Sequence, residues 1–128
     1  MADFSSTASV RSQEHYILHI APRSLWEQGK GSEAYRGDTL DSEGFIHCSE
    51  AHQVVAVANT FFLGRTDLLL LLINTSSVIS PIHYEGMTSE VYPHIYGPLN
   101  HEAVVAVYDF LPDENGKFQL PEEVIRVN

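Results

Sequence analysis

The rhythm of apolar and polar positions changes several times along the chain. In "HYILHIA", residues 15–21, Tyr16, Leu18 and Ile20 alternate with His15, Ile17 and His19, which predicts a first strand with two usable faces. "PRSLWEQGKG" reads as a short helix with Pro22 in its first turn and Gly29 and Gly31 at its stop. "GFIHCS", Gly44 to Ser49, reads as a second short strand. From Glu50 the period becomes helical: Val54, Val57, Ala58, Phe61 and Phe62 form one apolar stripe closed by Gly64. Ser49 is then either the N-cap of that helix or a ligand contact. "LLLLLIN", Leu68 to Asn74, has no alternation and predicts a central strand covered on both faces. "VISPIHYEG" and "YPHIYGPL" are extended pieces that Pro81, Pro93 and Pro98 should confine to edges, bends or bulges. Ala103 to Phe110 predicts another strand, Asn115-Gly116 the tip of a turn, and "QLPEEVIRVN" a last short strand.

These elements amount to about two helices and six or more strands. Strands outnumber crossovers, so a regular parallel βαβ array does not fit. The expectation is one α+β domain over residues 15–128 with small mixed or antiparallel sheets, preceded by a flexible tail at residues 1–14. That tail has no basic flank and no apolar core of the kind a signal peptide needs. The single cysteine, Cys48, cannot form an internal disulfide, and a reducing cytoplasm is the expected location.

Charge narrows the partners. The formal net charge is −10, from 7 Lys and Arg against 17 Asp and Glu. A phosphate backbone is held by basic patches, so nucleic acid and anionic membranes are excluded as expected partners. A small nucleotide or metabolite remains compatible, because backbone N–H groups hold phosphate without side-chain charge. Whether a protein partner exists is open at this level.

Several short patterns fail on context. Gly29-Lys30-Gly31-Ser32-Glu33-Ala34 matches G-x-G-x-x-A, but it follows a helical segment where the dinucleotide fingerprint needs a strand. His83-Tyr84-Glu85 matches the H-x-E of zinc deaminases without the downstream cysteines that complete their metal site. Cys48 follows His47 directly, so a strand would point the two apart, and it reads as a small buried residue. Seven histidines raise a metal reading with His47, His94, Glu85 and His19 as ligands, although no spacing ties them together and no metal is expected. What stands out is a repeated pattern, His47-x-Ser49 and His94-x-Tyr96. In extended chain each pair shares a face, and the two predict one His-lined site with Glu85 or Glu90 as its acid.

At these residues the chain resembles a known family. "GFIHCS", "YPHIYGPLN" and the stretches around "YILHI", "PRSLWEQ" and "LLLLLI" are similar to the bacterial family called domain of unknown function 952, over roughly residues 15–110. The resemblance implies a fold like that of the ADP-ribosyltransferases, two small sheets packed around a cleft that holds NAD in active relatives. By that analogy His19 or His47 bonds a ribose hydroxyl, with Ser49 as a further contact, and Tyr96 stacks on an aromatic ring. Glu85, or else Glu90, then stabilises positive charge at the ribose C1′, with His47 and His94 as its catalytic companions. The transferases' His-Tyr-Glu triad does not map residue by residue onto this chain. A non-catalytic binding module of the same fold and a metal-dependent hydrolase using His47, His94 and Glu85 are the other readings.

Overall fold

In the computed structural model, residues 15–127 are described; the tail expected at residues 1–14 lies outside the described residues. The unbroken apolar run becomes β4 (Leu68–Asn74), the middle strand of an antiparallel sheet ordered β1–β4–β8, with β1 at Tyr16–Pro22 and β8 at Val104–Phe110. Its lack of alternation has a direct physical cause: both faces are covered. Leu69, Leu71 and Ile73 enter one core with Ile17 and Ala21 of β1, while Leu68, Leu70 and Leu72 enter a second with Leu18 and Ile20. Each fully buried leucine adds roughly 1.5–3 kcal/mol of transfer free energy.

Helix α3 (Ala51–Phe61; α1 is Arg23–Lys30 and α2 is Leu40–Glu43) covers the second core through Val54 and Ala58. Val57 and Phe62 of the predicted stripe pack against the same core, whereas Phe61 falls off it and is 74% exposed. Phe110, Phe118 and Val124, the last from α4 (Glu122–Val127), close that layer. The first core is closed by two smaller antiparallel sheets. One joins β2 (Ala34–Tyr35) to β7 (Leu99–Asn100); the other is ordered β3–β6–β5, from Ile46–His47, Tyr92–Ile95 and Ile82–Glu85. Tyr35, Ile46, Ile95, Leu99 and Trp26 of α1 pack there.

The described residues thus form an α+β fold with three antiparallel sheets, where two mixed or antiparallel sheets were expected, and four helices where about two were expected. The third sheet is a two-residue ladder, Ala34↔Asn100 and Tyr35↔Leu99, too short to leave a periodic signal. The final segment is helix α4 and not a strand: Pro121 precedes it, and Glu122 and Glu123 suit the positive end of a helix. Glu50, not Ser49, caps α3, in a reciprocal capping box with Gln53. Among the described residues no helix is long and apolar enough to cross a membrane.

Candidate functional site

The β3–β6–β5 sheet separates its two faces by simple alternation. Ile46 and Ile95 point into the core, and their neighbours point out. Gly44, at φ 93°, ends α2 in the left-handed conformation and releases the chain into β3. His47 lies opposite His94, and His94 lies opposite His83, so three imidazoles form one row across the sheet. Phe45, Tyr96 and Glu85, each two residues from a member of that row, share its face.

Pro93 sits in the middle strand of this sheet and not at the edge, bend or bulge expected of it. Its carbonyl accepts from the Cys48 N–H at 3.0 Å, but it has no N–H to return. The β3–β6 ladder therefore stops after two residues, and the chain crosses to β1. There Ser49 and Leu18 exchange both backbone bonds at 2.8 Å. This crossing takes Ser49 away from His47: Ser49 is buried in the bridge between sheets, whereas His47 faces out.

Each of two adjacent imidazoles has its own carboxylate. The His94 Nδ1–H donates to Glu85 Oε1 at 2.8 Å, and the His47 Nε2–H donates to Glu43 Oε1 at 2.8 Å. A carboxylate only accepts, so these bonds assign the protons and leave His94 Nε2 and His47 Nδ1 as the free nitrogens, with no bonded partner among the described residues. The two rings meet edge to face at 5.2 Å between centroids. The Tyr96 hydroxyl donates to the same Glu85 oxygen at 2.5 Å. That bond, followed by the one from His94, holds the Glu85 carboxyl below its ordinary range, and Glu85 in turn pushes the Tyr96 phenol up. Phe45 stacks on His94 at 4.1 Å and 17°, and its ring also borders His47 and Tyr96. His83 meets Tyr96 edge to face at 5.2 Å.

His19 lies beneath this face and not in it. It is fully enclosed, its Nδ1–H donating to the His47 carbonyl at 2.6 Å and its Nε2 accepting from the Tyr35 hydroxyl at 2.8 Å. Burial lowers its pKa, which keeps the ring neutral, and burial raises the Tyr35 phenol, which keeps it a donor. In this arrangement His19 positions β3. Burial likewise raises the Cys48 thiol well above its usual value, so it is no ready nucleophile.

The structure therefore brings together four residues singled out in the sequence, His47, His94, Glu85 and Tyr96, and sets His19 and Ser49 below them. Glu90 is elsewhere, accepting from the Gln53 amide at 2.7 Å. Among the described residues no group of three or more His, Cys, Asp or Glu side chains is set to hold a metal ion. His47 and His94 turn their bonded nitrogens toward different glutamates, which is the local reason. Three members of the cluster were missed: Phe45, His83 and Glu43. The first two are two residues before His47 and Glu85, so the alternation rule reached them; Glu43 arrives from α2 and left no signal.

The sequence model of the family described as "Protein of unknown function (DUF952)" matches residues 20–107. Among solved structures the chain is similar to protein CC0527 from Caulobacter crescentus. Against its crystal structure the TM-score is 0.77 at 28% identity, covering 86% of this chain and 98% of that one. A crystal structure of a double mutant of CC0527 gives the same values, and the solution NMR structure gives a TM-score of 0.71 at 28% identity over 84% and 95%. No curated protein matches. The matched segment contains both histidine strands and the apolar strand beneath them: the chain belongs to the DUF952 family.

Proposed function

We propose that the outer face of the β3–β6–β5 sheet binds NAD or a related nucleotide and cleaves its nicotinamide–ribose bond, within an architecture of the ADP-ribosyltransferase-like kind. The observation that carries this reading is the bonded cluster of Glu85, His94 and Tyr96 with His47 alongside. Glu85 is an ionised carboxylate on a ring-lined surface. It would stabilise the oxocarbenium-like charge at C1′ as the C1′–N bond breaks and its electron pair leaves with neutral nicotinamide. Water then adds to C1′, and its proton passes to an open imidazole nitrogen, His47 Nδ1 or His94 Nε2. Tyr96 and Phe45 offer rings for the nicotinamide to stack on.

A second reading, binding without turnover, has an observation in its favour. Glu85 Oε1 already accepts two hydrogen bonds, which spread its charge and weaken its hold on a cation. One experiment separates the two. NAD is titrated calorimetrically into wild type and His47→Ala, and nicotinamide release is followed chromatographically. Binding lost in the variant, with release in the wild type, supports the enzyme; binding without release supports the module. No heat from folded wild type would remove NAD from both.

A further inference from the structure

We infer that the site recognises the ribosyl-pyridinium end of its ligand and not its phosphates, so that its substrate class is a cationic N-ribosyl heteroaromatic compound. This rests on the proposed NAD reading and names the part of the ligand that is held.

The argument is one of charge. Two carboxylates, Glu43 and Glu85, stand on this face, and only imidazoles and a phenol are bonded to them. Among the described residues, the arginines and Lys30 that might grip a phosphate are paired with other carboxylates: Arg23 with Asp109, Lys30 with Glu27, Arg36 with Asp41, Arg65 with Asp67 and Arg126 with Glu122. Lys117 lies in the turn after β8, where its backbone N–H bonds to Asp113. None of the ion pairs found among the described residues brings Lys or Arg to Glu43 or Glu85. With the three imidazoles of the row neutral, the face carries the charge of its two carboxylates, in a protein whose net charge is −10.

Such a surface repels a pyrophosphate and attracts a pyridinium. The attraction has two sources, the carboxylates and the ring faces of Phe45 and Tyr96, since aromatic faces draw cations within about 6 Å of the centroid. The positive charge of an N-ribosyl pyridinium lies at the nitrogen bonded to C1′, the atom pair that Glu85 must approach for the bond to break. Binding and chemistry therefore ask for the same charge at the same place.

The test is a calorimetric comparison at pH 8 of nicotinamide riboside, NAD and ADP-ribose, each at low and at moderate salt. Nicotinamide riboside is expected to bind at least as tightly as NAD, and ADP-ribose more weakly than either. Raising salt from about 0.01 to 0.3 M should weaken the riboside and strengthen NAD, each by roughly two- to fivefold, because screening removes attraction in one case and repulsion in the other. Glu43→Lys, a change at an exposed position, should weaken the riboside and strengthen NAD. NAD binding tenfold tighter than the riboside, NAD weakening with salt, or ADP-ribose equalling NAD would each overturn the inference while leaving NAD binding in place. Failure of folded wild type to bind either pyridinium compound would overturn both.

Discussion

The β1–β4–β8 sheet and the β3–β6–β5 sheet are built from the same rule of alternation and put it to opposite ends. In the first, both faces of the seven-residue β4 are apolar, and its leucines are enclosed between two cores. In the second, strands of two to four residues give one face to the core and spend the other on imidazoles, rings and carboxylates. Long ladders with two buried faces supply stability; short ladders with one buried face supply reactive groups on a fixed backbone. The histidines show the same division. His19 belongs to the first sheet, buried and bonded at both nitrogens, while His47 and His94 of the second are each bonded at one nitrogen among the described residues.

The largest effect that tests this division is on stability. Leu70→Ala, at a fully buried position of β4, should cost about 3 kcal/mol in urea unfolding, through lost transfer energy and the cavity left behind. His47→Ala should cost under ~0.5 kcal/mol, because exposed imidazole–carboxylate pairs contribute little. Equal losses in the two variants would break the comparison, since the site face would then be part of the structural core.

Next in size is the residue that joins the two regions. His19→Ala removes the partner of the Tyr35 hydroxyl and of the His47 carbonyl at once. Stranding buried polar groups costs roughly 1–3 kcal/mol each, so a loss of about 2 kcal/mol is expected after partial relaxation. The His47 ring resonances should shift in NMR spectra although His47 itself is untouched. A stability loss with unmoved His47 signals would mean that β3 is positioned without His19.

Much of this division was legible in the residues themselves. The unbroken run of Leu68–Ile73 announced a strand with two buried faces, and the two His-x-hydroxyl stretches put His47 and His94 on one face. Their second halves diverge for reasons that no local pattern carries. His94 and Tyr96 stay on one face because backbone pairing continues one residue past β6, the Tyr96 N–H donating to the Pro81 carbonyl at 2.8 Å, and both side chains bond to Glu85. Ser49 leaves the face of His47 because Pro93, 45 positions downstream of Cys48, ends the ladder between them. Glu43 joins this face only because α2 folds back beside β3, and the β2–β7 pair is a long-range contact between segments without periodicity. Alternation names the face; what arrives on it from elsewhere is a property of the tertiary fold.

Acid should act on the stability of the first sheet through His19. His19 is held neutral by burial, whereas in the unfolded chain it takes a proton near pH 6.5. Below that pH the unfolded state binds the extra proton, so stability falls as pH falls, by up to about 1.4 kcal/mol per pH unit until the folded ring titrates. Unfolding free energies of wild type between pH 7 and 5 should show this slope, and His19→Ala, though less stable throughout, should show a flatter one. Parallel curves would mean that His19 is not the group responsible.

The smallest effect concerns the most specific feature of the site face, the carboxylate shared by Tyr96 and His94. Glu85 is expected to titrate below 4.5, its ordinary value, with the Tyr96 hydroxyl as the larger cause and His94 as the smaller. Its folded pKa being the depressed one, the associated stabilisation is present above the unfolded value and is lost as pH falls through the folded one. Tyr96→Phe keeps the ring and removes only the hydroxyl, so the Glu85 carboxyl carbon, followed by NMR, should titrate at a higher pH than in wild type. Adding His94→Ala, which removes the second bond, should raise it further. A Glu85 that titrates normally in wild type would mean that the exposed face is not ordered in solution. The contrast between a sheet fixed by burial and a sheet fixed by hydrogen bonds at its surface would then collapse onto burial alone.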